Sequence, residues 1–446
     1  MRGPTGMGRT RSKDDRWFYS YLPNGMAGGA TSPLIPLFTR ILGGSVADVG
    51  AVGAASSLAS VPAFVGWGSL SDRLRRRKVF LLIGFLGLAV SLFAMGLSRS
   101  VADFYLANLL VGVLGAASAP VGTVIILETT KEKDWAARIA VFSRIGGIGW
   151  VTGLVLGAVW LVALPLSEAS AMRGLFFVGA ALAFLSAALA WRWLDEPEEK
   201  VERRHITFVD QHWRVERLRY LPMRLLHFLD FRNHIGGSLR HSPVLYRYLA
   251  TVFLLFCGFT AFYAIFPVYL RDKAGLSTLH VFLVYIAGQV VSAFAYGRVG
   301  RWVQAHGGRR VQAYASAGRA MLFPMFLLLP LLPGGVVVAL GVAMLIHALV
   351  GLCWAAINVG GSTVVSGLAR PDERSGVLGA YNAVQGFGAI LGPIAGGTLA
   401  HLFGFASGFF AASAFIVTAL AMLAFTPTQS NREQFSLKHM KLTNAP

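Results

Sequence analysis

The sequence predicts an all-α, polytopic membrane protein. Twelve transmembrane helices are expected, in two pseudo-symmetric six-helix bundles with both termini in the cytoplasm. Three observations lead there. Of 446 residues, 55% are hydrophobic and 14% charged, with a mean hydropathy of +0.59. A soluble domain is nearer a quarter charged, so this chain lacks the polar surface to cover a globule in water. The apolar residues also fall into charge-poor runs of about twenty, the length at which a helix crosses a hydrocarbon core of ~30 Å. Finally, lysine and arginine collect in alternate connectors.

The runs are read in chain order as spans at 18–40, 46–70, 79–98, 101–127, 139–163 and 171–194, then 244–270, 278–300, 311–331, 335–366, 376–400 and 403–426. Several exceed twenty residues, which predicts tilt or extension beyond the bilayer. With the N-terminus inside, 34 of the 40 cationic side chains lie on the cytoplasmic face. The opposite face holds Arg40, Arg99, Arg173, Arg271 and Lys273, and Arg319 falls within a span. This is a strong positive-inside bias. It accounts for the net charge of +19 through topology and anionic lipid rather than nucleic acid.

Small residues are abundant, with 51 glycines, as expected where helices pack closely in lipid. The two cysteines, Cys257 and Cys353, sit inside apolar runs and read as free thiols. No cleavable signal peptide is evident after the basic start. No metal or cofactor is expected.

The chain divides into a first bundle (1–194), a polar connector (195–243) and a second bundle with a short tail (244–446). The halves carry related motifs. After span 2 the chain reads Gly68-Ser69-Leu70-Ser71-Asp72-Arg73-Leu74-Arg75-Arg76-Arg77-Lys78; after span 8 it reads Gly297-Arg298-Val299-Gly300-Arg301, then Gly307-Gly308-Arg309-Arg310. Asn108 through Gly112 in span 4 matches His347 through Gly351 in span 10. Span 5 has Gly149, Gly153 and Gly157; span 11 has Gly388, Gly392-Pro393 and Gly396-Gly397.

On these motifs the chain resembles the major facilitator superfamily over essentially its whole length. The Gly68-x-Leu70-Ser71-Asp72-Arg73 loop is similar to that family's signature between spans 2 and 3, departing at Arg75, where the family has glycine. The second copy has Arg301 in place of the aspartate. The resemblance implies alternating access, with Asp72, Arg73 and Arg76 latching the cytoplasmic side in the outward-facing state. Physically, a carboxylate at a helix end can face the positive N-terminus of a neighbour, and the arginines can pair with an acid such as Glu128 on span 4. The run at Gly388, Gly392, Pro393, Gly396 and Gly397 is similar to a motif linked to exporters. That motif ordinarily sits in span 5, where this chain has Leu154 in place of the proline.

The resemblance also implies a central cavity lined by spans 1, 4, 5, 7, 8, 10 and 11. Helical spacing groups candidate lining residues on common faces. Span 10 offers His347, Gly351, Trp354 and Asn358; span 11 offers Tyr381, Asn382 and Gln385; span 8 offers Tyr285 and Gln289; span 7 offers Phe259, Tyr263 and Phe266. Asn108 and Asn24 add amides on spans 4 and 1. No acid lies deep in any span; Asp48 and Asp103 sit near outer ends. The expected site is therefore amphipathic and aromatic, orienting a small solute by hydrogen bonds and ring contact. His347 occupies the span 10 position matching a coupling site in span 4 of the family, and histidine titrates near physiological pH. It is the candidate proton carrier. Arg144 is expected to snorkel or pair with Glu128. Arg319, ~12 Å into span 9 at 1.5 Å per residue, is expected to snorkel toward the cytoplasm.

The connector carries Leu218, Leu221, Leu225 and Phe228 at helical spacing, an interfacial helix pattern. Its histidines are too dispersed for a metal site. No nucleophile or acid pair at depth supports an intramembrane enzyme, and no glycine-rich nucleotide loop supports a pump. The function expected is therefore proton-coupled efflux of small amphipathic or drug-like compounds by a monomer in the cell membrane. The alternatives are symport or facilitated uptake of a sugar or organic anion, and, more remotely, a sensor without turnover.

Overall fold

The computed structural model describes residues 13–74, 76–119, 121–130, 134–196, 243–369 and 374–424. After a short 3-10 turn at Lys13–Ser20, the first half runs through α1 (Tyr21–Thr31), α2 (Leu34–Ile41), α3 (Val46–Leu74), α4 (Arg77–Leu97), α5 (Val101–Gly115), α6 (Val121–Thr129), α7 (Trp135–Ala163) and α8 (Glu168–Trp193). The second half runs through α9 (Pro243–Asp272), α10 (Thr278–His306), α11 (Gly308–Met325, prolonged by a 3-10 turn to Leu331), α12 (Gly335–Leu368), α13 (Arg374–Phe403) and α14 (Phe405–Ala424). The connector at 197–242, with its expected interfacial helix and histidines, lies outside the described residues.

Among the described residues ten helices are long and apolar enough to cross a membrane. A helix satisfies its backbone internally, as hydrocarbon demands. The other two segments read as spans, 18–40 and 101–127, are each divided. Span 1 breaks at Ser32-Pro33, between α1 and α2, where proline supplies no N–H to continue the ladder. Span 4 breaks after Gly115, and α6 begins at Val121. Hydropathy reads straight through both breaks, because the residues around them are apolar.

Helix starts follow local chemistry. Ser100 and Asp103 form a reciprocal capping box on α5, and Ser277 with His280 does the same on α10. Asp48 accepts from the Ser45 N–H and hydroxyl at 2.7 and 2.8 Å at the start of α3. The tight reversals between α10 and α11 and between α13 and α14 turn on Gly307 (φ 81°) and Gly404 (φ 84°), in the left-handed region that glycine enters without strain.

The glycine ladders fix how the helices meet. In the first half α7 lies against α1: a Cβ at Gly149 would sit 2.5 Å from the Leu22 carbonyl oxygen, and one at Gly25 would sit 2.8 Å from the Gly146 oxygen. In the second half α13 lies against α9 in the same way: a Cβ at Gly388 would be 2.7 Å from Phe256 Cβ and 2.9 Å from the Phe253 oxygen. Gly392 and Gly396 face the backbone at Cys257 and Ala261. The ladders then reach across to the other half. Gly157 on α7 accepts the Phe282 ring of α10, and Gly397 on α13 meets Gly50 on α3, where a Cβ would lie 2.7 Å from the Gly50 Cα. Matching helices thus make matching contacts about a pseudo-two-fold.

Two ion pairs join the halves near one end. Arg271 Nη2 is 2.7 Å from Glu168 Oε2, and Arg40 Nε is 3.4 Å from Asp272 Oδ2. The Thr278 hydroxyl donates to the other Glu168 oxygen. This end is opposite the one where α3 ends, α8 ends and α9 begins.

Candidate substrate and coupling site

One buried cation organises the second half. Arg319, on α11, is 1% exposed. Its guanidinium carbon lies 4.3 Å from the Phe259 ring centre, 5.3 Å from Trp354, 5.4 Å from Phe323 and 5.5 Å from Tyr263. Its Nη2 donates to the Tyr263 hydroxyl at 3.0 Å. The arginine therefore does not snorkel. Leading its head to the bilayer surface would expose the charge to water, but the neighbouring helices offer ring faces closer by. Contacts of this kind are worth ~0.5–1 kcal/mol each at exposed sites and ~2 kcal/mol or more when desolvated.

Helical spacing brings the rings together. Phe259, Tyr263 and Phe266 follow one stripe of α9, His347 and Trp354 one stripe of α12, and Arg319 and Phe323 are four apart on α11. The Tyr263 hydroxyl is also 3.4 Å from His347 Nε2. That hydroxyl accepts from Arg319 through one lone pair, and which partner donates between it and Nε2 is set by the imidazole tautomer. His347, 3% exposed, stacks on Phe266 (5.4 Å, 8°) and packs by Tyr285 at 5.2 Å. Gly288 of α10 makes room for it: an added Cβ there would strike the imidazole, and one on Gly351 would strike the Gly288 carbonyl. Tyr263, Tyr285 and Trp354 are half-buried, so the cluster has an accessible side; Gln289, on α10, is half-buried as well.

Asn108 is 2% exposed, and its Nδ2 donates to the Phe104 carbonyl one turn back at 2.9 Å, so its own helix satisfies that donor. Asn24 and Gln385 are half-buried, and Asn358 and Asn382 are exposed. Tyr381 stacks on Tyr248 with centroids 6.5 Å apart. The Tyr248 hydroxyl lies 3.0 Å from both Gln312 Oε1 and the Gly361 oxygen, tying α9, α11 and α12 together below the cluster. Neither Gln312 nor Phe323 and Phe326 stood out in the sequence. The i, i+4 pair Arg319–Phe323 was the available signal. Cys257 and Cys353 are free thiols.

At the basic loop, Glu128 accepts from Arg77 at 2.8 Å through Nη2 and 3.2 Å through Nε, and Arg77 also donates to Ser71 at 2.7 Å. This cross-link joins α3, α4 and α6 within the first half. Gly68, Asp72 and Arg73 lie on α3, but their side chains fall outside the described part; Arg76 is exposed, as is Arg144. No group of three or more potential metal ligands occurs among the described residues.

Comparisons with known proteins agree with the architecture. The family model described as Major Facilitator Superfamily matches residues 17–359 and 343–444. Among curated relatives, the multidrug resistance protein MdtG of a Rahnella species is 23% identical over 420 residues, covering 91% of this chain and 90% of its own length. MdtG of Enterobacter lignolyticus is 24% identical over 420 residues, covering 91% and 88%. Among solved structures, a mutant of the nucleoside transporter NupG superposes with a TM-score of 0.72 at 17% identity, covering 93% of this chain and 100% of that one. The human organic anion transporter MFSD10 gives 0.63 at 18% identity, covering 91% and 97%. At such identities the structures speak to fold alone. A multi-pass helical membrane protein with two matching halves and a family match along nearly its whole length has one assignment: the chain belongs to the Major Facilitator Superfamily and is a membrane transporter, not an enzyme.

Proposed function

We propose that this transporter exports small amphipathic organic compounds in exchange for protons. The observation that carries the reading is the aromatic cluster of Phe259, Tyr263, Tyr285 and Trp354, which has hydrogen-bonding groups at its edges and no acid within it. Rings give contact area that tolerates varied ligand shapes, and a few polar groups orient them. The curated relatives, named multidrug resistance proteins, support the same direction.

Orientation from the positive-inside rule puts the basic α3–α4 loop in the cytoplasm. The Arg271–Glu168 and Arg40–Asp272 pairs then lie on the outer side and tie the two halves together there. Glu128 and Arg77 brace the end of the first half that carries the α3–α4 turn. His347, reached through the Tyr263 hydroxyl from Arg319, is the proposed proton carrier. A second cation there would face Arg319 across one hydroxyl, so proton binding and ligand binding at the cluster are linked.

The experiment is transport in proteoliposomes of known orientation, with a pH-sensitive dye inside and an imposed pH gradient. Amphipathic drugs, sugars and small organic acids are added in turn. Dissipation of the gradient by amphipathic compounds, with protons moving opposite to the compound, is the expected result. Proton movement in the same direction as a sugar or acid would replace export by symport. No response to any compound would end the proton-coupled reading.

A further inference from the structure

Arg319 carries a buried charge. Among the described residues no carboxylate pairs with it, and of its three nitrogens only Nη2 has an acceptor; Nε and Nη1 are buried with none. Taking a guanidinium out of water is costly unless it is compensated. Each donor left unmade adds a further penalty. Ring faces offset part of this, but a ring accepts no conventional hydrogen bond in the guanidinium plane. The arrangement lacks one thing: a small anionic acceptor.

We propose that Arg319 binds the head group of a lipophilic organic monoanion, a carboxylate or sulfonate carried on an aromatic or aliphatic body. The inference rests on the export reading above and narrows its substrate class. Nε and Nη1 lie on different edges of the guanidinium, so an oxygen anion would accept from one of them and neutralise the charge in place. The Phe259, Phe323 and Trp354 rings that now surround the guanidinium would hold the apolar body. A single guanidinium in an aromatic shell matches one negative charge; a phosphate dianion would bring a second charge that none of these side chains meets. Entry passes Tyr263 or Trp354, the two members of the shell that are only half-buried.

The test uses the full-length protein in nanodiscs and two probes of one shape, 2-naphthoate and neutral 2-naphthamide. Binding is measured by titration calorimetry and transport in proteoliposomes. Wild-type protein is expected to bind naphthoate at least about tenfold more tightly than the amide, about 1.4 kcal/mol. In Arg319→Gln that preference should fall below about twofold, while Arg319→Lys keeps part of it, because ammonium supplies charge without the planar fork. Trp354→Ala should weaken both probes alike. A wild-type preference under about twofold overturns the proposal, and needs no variant to fold; so does a preference that survives in folded Arg319→Gln. If neutral amphipathic compounds are exported while naphthoate shows no advantage, the anion site fails and the export reading stands. If naphthoate binds through Arg319 but no amphipathic compound moves, the site stands and the export reading fails.

Discussion

Removing Glu168 should open the outer end of the molecule. In Glu168→Ala two inter-half contacts vanish: the ion pair to Arg271 at 2.7 Å and the hydrogen bond from Thr278. The side chains of Arg271 and Glu168 are 28% and 39% exposed, so solvent screens the pair and it is worth ~0.2–1 kcal/mol. A hydrogen bond to a charged group in a part-buried setting adds ~1 kcal/mol after the same discount. The sum, ~1–2 kcal/mol, changes the ratio of outer-closed to outer-open molecules by about five- to thirtyfold. Spin labels at Leu166 and Lys273, in a background lacking Cys257 and Cys353, report the separation of the two halves at that end. The expected result is a longer-distance population that grows severalfold in the variant. Raised salt should produce a smaller shift of the same sign in the wild type. A distance distribution unchanged by both would refute the reasoning, since the clasp would then hold nothing.

Three further outcomes follow from contacts already described. Gly397→Val places a branched side chain on the Gly50 backbone, so outer closure and transport should fall sharply while circular dichroism stays helical. Gly288→Ala puts a methyl against His347 and should lower the thermal midpoint by an amount matching ~1–3 kcal/mol of overpacking, as read by a thiol-reactive or scattering melt. His347→Asn should change the pH profile of transport measured in proteoliposomes; an unchanged profile removes this residue from proton coupling.

The sequence was a good guide to what depends on pattern along one chain. Runs of apolar residues located the ten long helices, and the repeated Gly-x-x-x-Gly spacing marked α7 and α13 as close-packing elements before any partner was known. What it could not give was direction. The depth of Arg319 followed from counting residues, but its rotamer depends on which rings three other helices bring near. Asn108 read as a polar wall residue, yet its donor is met by Phe104 on its own helix, an option open to any helical asparagine. The breaks at Pro33 and beyond Gly115 were hidden because hydropathy scores side chains and says nothing about missing backbone hydrogen bonds. Glu128 stood out as an acid at a helix end; that Arg77 would be the arginine to reach it depended on the turn geometry between α3 and α4.

The crossing of Gly50 and Gly397 has a mechanical consequence. Most helix contacts lock because side chains interdigitate, and changing the angle means lifting each knob from its hole. Here backbone lies on backbone, with no knob to lift. Such a bearing resists separation through many close van der Waals contacts but offers little resistance to rolling. The two halves can tilt about it without an unpacking barrier at that point. The contact would then set the path of the rocking motion while leaving the ion pairs at the rim to set its resting position.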